Sequence, residues 1–182
     1  MRITLDTNVL VSAFIAKHGY SANLLELSLT LEHIELVLST PILQELEHVL
    51  GRNEIKNRFE YTEHDIKKIV STLKASAKVI SLNSKFRVVK EDPKDDMILN
   101  TAYDGCVDYI VSGDNHLLKL RNFKGIKIVN PKRMMSILSK KFPEFDFHID
   151  KGYGTSLHKQ ALKKFGPTEI HRKSFLKNLT SW

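Results

Sequence analysis

A single cysteine, Cys106, stands in 182 residues, which excludes an intrachain disulfide and any cysteine-based metal cluster. Beside the apolar Val107 and just ahead of an apolar run, it reads as a core-packing residue. Long hydrophobic runs are also missing, and none approaches the length of a bilayer-spanning helix. The start of the chain has no basic stretch leading into an apolar one, so the expectation is a cytoplasmic protein without membrane attachment. There is no internal repeat and no low-complexity tract.

The composition, 42% hydrophobic and 27% charged, is that of an ordinary globular protein long enough for one good core. Its net charge of +7 is unevenly placed. From Lys132 onward there are eleven basic residues against four acidic ones, which accounts for the whole excess and leaves the preceding part neutral. A neutral body with a basic tail suits a polyanionic substrate. A solubilising surface explains the same charge equally well.

Strands and helices alternate along the first 141 residues. Ile3 to Leu5 reads as a short buried strand ending in Asp6, with Asn8 placed to cap the following helix. Val9–Ala16 and a helix capped by Ser21 and running to about Leu31 form an expected helical hairpin. Glu35–Leu38 is a second strand. Thr40 as cap and Pro41 at the first helical position open a helix to about Leu50. Residues 52 to 61 are polar and irregular, and Thr62 opens an amphipathic helix to about Ala77. Of two apolar pieces, Val79-Ile80 and Phe86-Val88-Val89, one reads as an edge strand. A helix opening at Asp92–Asp95 runs to about Tyr103 with Gly105 as its stop. Asp108–Ser112 repeats the grammar of the first strand, ending in Gly113-Asp114. A short helix from His116, a strand at Ile126–Val129 and a helix opened by Asn130-Pro131 complete the pattern. Such alternation predicts a mainly parallel sheet covered on both faces. Beyond Phe142 the pattern weakens into basic, moderately amphipathic pieces near 155–165 and 168–179, so the expected organisation is a domain over 1–141 and a basic, partly helical extension over 142–182.

Ligands of open parallel sheets bind outside the carboxyl ends of the strands, where Asp6 and Asp114 are expected. On the helix from Pro41, Glu45 shares the stripe of Ile42, Leu46 and Val49, while Glu47 falls elsewhere. Asp95 shares the face of Ile98, Leu99 and Ala102, and Asp96 is turned from it by about 100°. Asp96 and Asp92 are supports; both Asp95 and Asp96 also suit a helix N-terminus through its dipole. Asp6, Glu45, Asp95 and Asp114 thus converge on one edge. Four ionised carboxylates in one pocket repel one another, and hard divalent cations, Mg²⁺ or Mn²⁺, relieve that repulsion with oxygen ligands, water and substrate phosphate. The chemistry this supports is metal-dependent phosphodiester hydrolysis.

Leu5-Asp6-Thr7-Asn8-Val9-Leu10, Glu45 in a helix opened by Thr40-Pro41, Asp95-Asp96-Met97-Ile98 with Ala102, and Asp108-Tyr109-Ile110-Val111-Ser112-Gly113-Asp114 occur in the order and context of PIN domains. The chain resembles that family over about residues 1 to 140, most of all the branch of VapC-like toxin components of bacterial toxin–antitoxin systems. The resemblance implies a three-layer α/β/α sandwich. It also implies a Mg²⁺- or Mn²⁺-dependent endoribonuclease that cuts single-stranded or loop RNA and leaves 5′-phosphate and 3′-hydroxyl ends. Under it Asp6 and Asp95 are the chief metal ligands, Asp114 completes the centre, Glu45 holds metal or orients the nucleophile, and Asn8 and Ser112 fix the acids. An antitoxin protein and a homodimer are the implied partners. The segment after Phe142 departs from the compact family pattern.

Rival readings make distinct demands. A haloacid-dehalogenase-like phosphatase wants a second acid two residues after the first, where this chain has Asn8. A PIN-like domain without catalysis would serve as a nucleic-acid-binding or assembly module and need hold no metal. A DNA-directed nuclease would use the same acids, because phosphate contacts do not read the 2′-hydroxyl. The eight histidines have no metal-site spacing, although His116 follows Asp114 closely. Lys163, Lys164, Arg172 and Lys173 are candidate phosphate contacts.

Overall fold

The computed structural model describes residues 1–16, 19–89 and 95–142. Its elements are β1 (Arg2–Leu5), α1 (Thr7–Ile15), α2 (Tyr20–Thr30), β2 (Glu35–Ser39), α3 (Thr40–Leu50), α4 (Asn53–Phe59), α5 (Glu63–Ser76), β3 (Lys78–Ile80), α6 (Asp95–Asp104), β4 (Tyr109–Val111), α7 (Asn115–Leu120), β5 (Asn122–Phe123), β6 (Ile126–Val129) and α8 (Pro131–Lys141). The six strands form one sheet in the order β3-β2-β1-β4-β6-β5. All pairings are parallel except β5 with β6. Ile3, Leu5, Leu36, Val37, Leu38, Ile110 and Val111 are fully buried, and so is Thr4 between them. Burial of consecutive strand residues means that both sheet faces are covered. The fold is therefore a three-layer α/β/α sandwich with a mainly parallel sheet.

From β1 the chain steps outward to β2 and β3, then returns to the other side of β1 to form β4. The strand order reverses between β1 and β4, and at such a switch point the loops leaving the two carboxyl ends part to open a crevice. Register carries Leu5 opposite Val111. Asp6 and Ser112, the next residues of each strand, therefore flank that crevice.

Local sequence accounts for many boundaries. Thr62 and Asp65 form a reciprocal capping box that starts α5, and the Asn130 side chain accepts from the Arg133 N–H ahead of Pro131 at the start of α8. At α3 the cap is Ser39, one residue earlier than expected, and it makes no capping bond. Its hydroxyl is shared instead with Thr101 Oγ1 at 2.8 Å, tying β2 to α6. Residues 53–59 form α4 rather than irregular chain, a helix with no buried residue and hence no hydrophobic stripe to announce it.

Gly105 follows the end of α6, but its role is close approach: a Cβ there would meet Val37 Cγ1 at 2.6 Å and the Thr101 carbonyl oxygen at 2.9 Å. The left-handed residue is Cys106, with φ of 50°. The cysteine is exposed and not part of the core, because the turn into β4 carries it outward while Val107 is buried.

Phe86-Val88-Val89 is not a strand. Side chains one helical turn apart on α6 hold it. Asp96 Oδ1 accepts from the Val88 and Val89 N–H groups at 2.8 and 3.0 Å. Asn100 accepts from Phe86 N–H at 2.8 Å and donates to its carbonyl at 3.2 Å. Asp104 accepts from the N–H groups of Asn83 and Ser84 and from the Ser84 hydroxyl. Burial pushes the Asp104 carboxyl up, but the Ser84 hydroxyl and the two backbone donors outweigh it and hold the group below the usual range.

Candidate active site

Asp6 occupies the N-cap position of α1 with extended backbone, yet its side chain makes no capping bond. Its backbone N–H donates to Val111 O at 2.9 Å and its carbonyl accepts from Val9 and Leu10, which fixes the residue between two elements. The carboxylate is thereby available to the crevice. Oδ2 accepts from Ser112 Oγ at 2.6 Å and from Asn8 Nδ2 at 2.7 Å. Asn8 Oδ1 accepts in turn from the Gly113 N–H at 3.2 Å, so α1 and the β4 loop are cross-linked around one oxygen.

Ser112 is fully buried. Its hydroxyl donates to Asp6 and accepts from the Asp114 N–H at 2.9 Å, while its own N–H is taken by Val129 O. Asp114 caps α7 by accepting from the His116 N–H at 2.6 Å. The same short loop thus places a second carboxylate beside Asp6. His116 itself is exposed, and its part in the loop is that backbone bond.

Glu45 is half-buried and Glu47 exposed, as the helical stripe predicts. The described ion pairs join Arg2 to Glu35 and Lys56 to Glu63, and Glu45 belongs to neither. Its partner is Thr7, whose hydroxyl donates to Glu45 Oε2 at 2.6 Å. Thr7 is buried. It was not singled out from the sequence; the signal available was a hydroxyl residue directly after the strand-end acid.

Burial pushes the Asp6 carboxyl above its ordinary value, against the pull of the Ser112 hydroxyl and the Thr7 backbone N–H, and the charges of Glu45 and Asp114 push it further up. Three of the four candidate acids are therefore electrostatically coupled. Asp95 begins α6, whose antiparallel run back to β4 puts its first turn at the same sheet edge; its Oδ2 is buried. Asp96 points instead at the strapped segment, and its contacts are those of a structural acid. Asp92, Lys163, Lys164, Arg172 and Lys173 lie outside the described residues.

The side chains that bond Asp6 or act on its charge, Asn8, Ser112, Glu45 and Asp114, offer oxygen or amide groups, the hard donor set that suits Mg²⁺ or Mn²⁺. Burial and the neighbouring charges of Glu45 and Asp114 both disfavour the Asp6 anion, and a bound cation would favour it. Among the described residues, no three acids or histidines stand close enough together to enclose an ion. The donors thus fit a cation held by few protein oxygens, the remaining positions going to water and phosphate.

A family model for the PIN domain matches residues 2–116. The chain belongs to the PIN domain family. Its fold is also that of a chain in the crystal structure of VapBC2 from Rickettsia felis bound to a DNA fragment from their promoter. That likeness has a TM-score of 0.52 and 16% identity, and covers 71% of this chain and 98% of that one. Among curated proteins, this PIN-domain chain is 41% identical over 96 residues to a ribonuclease HII of Clostridium novyi (strain NT), covering 50% of this chain and 35% of that protein. It is 38% identical over 91 residues to the ribonuclease HII of Clostridium perfringens (strain 13 / Type A), covering 47% and 34%. The chain thus spans about a third of the length of these relatives.

Proposed function

We propose that this PIN-domain protein is a Mg²⁺- or Mn²⁺-dependent endoribonuclease that hydrolyses single-stranded or loop RNA, and that it is the toxin component of a toxin–antitoxin pair. The observation that carries the reading is the Asp6 carboxylate, buried at the switch point, held there by Ser112 and Asn8, and repelled by the charges of Glu45 and Asp114. The ribonuclease names of the partial relatives and the likeness to a VapBC2 chain support the substrate and the partner. The cation is assigned to Asp6 and Asp95, with Asp114 completing the site through bound water; when bound it would neutralise the carboxylates and draw charge from the phosphodiester. Glu45, fixed by Thr7, orients the attacking water and takes its proton. Asn8 and Ser112 hold Asp6 in place, and Asp96 supports the turn carrying Asp95. The new bond joins the water oxygen to phosphorus and the bond to the 3′-oxygen breaks, that oxygen taking a proton from solvent, so the products carry 5′-phosphate and 3′-hydroxyl ends.

Residues 1–141 form the proposed nuclease domain. The 142–182 extension, with Lys163, Lys164, Arg172 and Lys173, adds phosphate contacts. Cytoplasmic residence, an antitoxin partner and a homodimer complete the proposal; no described helix is long and apolar enough to cross a membrane. The rival reading, a catalytically inactive nucleic-acid-binding or assembly module, draws on the absence of an ion-enclosing acid cluster among the described residues. Cleavage of mixed-sequence single-stranded RNA, beside equivalent DNA, in Mg²⁺, Mn²⁺ and EDTA with wild type and Asp6→Asn separates the readings. RNA cutting that disappears with EDTA and with the variant is the expected result. Inert proteins under every metal favour the module, and equal cutting of DNA makes the enzyme a DNA-directed nuclease.

A further inference from the structure

Two tracks lead away from Asp6 and meet at one cavity. On α1, Asn8, which donates to Asp6, is followed one turn later by Ser12 on the same face, and Ala16 caps the end of the helix a turn further on. Asn8 and Ser12 are exposed. The rise from residue 8 to 16 is about 12 Å, a span that a short single strand covers. Across the sheet, Ser112 donates its N–H to Val129 O, and the residues after Val129 are Asn130, Pro131 and Lys132. Ser12, Ala16, Asn130 and Lys132 line a cavity of about 290 Å³, bordered also by the start of α2 at Gly19 and Tyr20.

The chemistry of this cavity differs from that of the acid centre. Among the described residues no carboxylate lines it. Lys132 is exposed and belongs to neither described ion pair. Tyr20 leaves 40% of its surface exposed, one of few large apolar side chains so placed. An aromatic ring and an exposed cation lining one cavity, together with small residues, are the combination that holds single-stranded nucleic acid by base stacking and phosphate attraction.

We infer that the cavity between α1, the start of α2 and the start of α8 is the subsite for a nucleotide flanking the scissile phosphate, with its base on Tyr20 and its phosphate at Lys132. The inference rests on the RNA-cleaving reading above and names where the strand runs once it leaves the acids. Because stacking tolerates every base, this subsite supplies affinity and direction rather than sequence choice.

The test is the affinity of the full chain for a short, end-labelled, mixed-sequence single-stranded RNA, followed by fluorescence anisotropy in Mg²⁺ in the Asp6→Asn background. Tyr20→Ala is expected to weaken binding roughly tenfold, and Tyr20→Phe to restore it, since the ring and not the hydroxyl stacks. Lys132→Ala is expected to weaken binding and to reduce the slope of log affinity against log salt by about 0.7. Lys67→Ala, on the exposed face of α5, serves as the control and leaves both unchanged. In the wild-type background Tyr20→Ala raises KM with kcat retained. Tyr20→Ala and Lys132→Ala that bind as the parent does overturn the subsite while leaving the nuclease reading intact. An Asp6→Asn chain without RNA affinity overturns it too. Cleavage that survives Asp6→Asn overturns the nuclease reading itself.

Discussion

Ser112 Oγ reaches Asp6 Oδ2 at 2.6 Å across 106 residues of sequence, joining the carboxyl ends of β1 and β4 at the point where the strand order reverses. The bond sets the direction of the Asp6 carboxylate, and the same hydroxyl accepts from Asp114 N–H. Ser112→Ala therefore loosens one acid and removes the partner of a backbone donor near the second. Loss of such an orienting partner reduces metal affinity or activity about 10–100-fold, and the unsatisfied N–H costs about 1–3 kcal/mol of stability. Titration of Mg²⁺ against cleavage rate, beside a thermal melt, reads both effects. A variant with the wild-type metal midpoint would falsify the orienting role.

Asp6 is destabilised as an anion by burial and by the neighbouring charges of Glu45 and Asp114. Its folded-state value lies above the ordinary 3.8, so in the window between the two the native state binds more protons than the unfolded chain. Stability from this group is thus greatest below 3.8 and falls as pH rises through the raised value. Asp6→Asn removes the charge and keeps an oxygen for Ser112. In EDTA the variant is expected to melt above wild type at neutral pH, with the gap closing as pH falls below the ordinary aspartate range. Added Mg²⁺ should raise the wild-type melting temperature more than that of the variant, since only a native state that binds the ion gains from it. An Asp6→Asn chain that melts below wild type at neutral pH means that the charge serves the helix dipole and not a cation.

Thr7 and Glu45 act as one unit, because the Thr7 hydroxyl is the described partner of a half-buried carboxylate. Glu45→Gln should lower kcat by about 10²–10⁴, the usual range for losing a positioned acid–base group. Thr7→Val keeps the volume and removes the donor, so it is expected to lower kcat by a smaller factor. Combined, the two substitutions should cost no more than Glu45→Gln alone, the signature of coupling in a double-mutant cycle. Additive losses in single-turnover cleavage refute the coupling.

The parts of this fold legible in the sequence are those where one physical signal dominates. Strand ends leading to Asp6 and Asp114 and the helix starts at Thr62 and at Asn130-Pro131 are local patterns, and each lies at the element boundary expected of it. Glu45 was legible as an inward acid because helical spacing is reliable over two turns. Residues 53–59 escaped because a helix without buried residues has no period to read, and the two-residue β5 is shorter than any alternation. Cys106 misled because apolar neighbours say nothing about a turn with positive φ. The Thr7–Glu45 and Ser39–Thr101 bonds join residues 38 and 62 positions apart, and such pairings exist only once the chain has folded.

Asp95 and Asp96 are neighbours in sequence with opposite expected phenotypes. Asp96 is buried and accepts two backbone N–H groups from Val88 and Val89, so it anchors the strapped segment to α6. Hydrogen bonds to a charged group contribute about 1.5–3 kcal/mol each, and Asp96→Ala removes two of them and leaves the buried Val89 N–H without an acceptor. A loss of about 3 kcal/mol or more in urea denaturation is expected, with activity falling because the turn that carries Asp95 loses its anchor. Asp96→Asn keeps an acceptor and should recover much of the stability. Asp95→Asn is expected to abolish cleavage while keeping the denaturation midpoint near that of wild type. The reverse pattern, a stable and inactive Asp96→Asn beside an active Asp95→Asn, would exchange the two roles and make Asp96 the ligand.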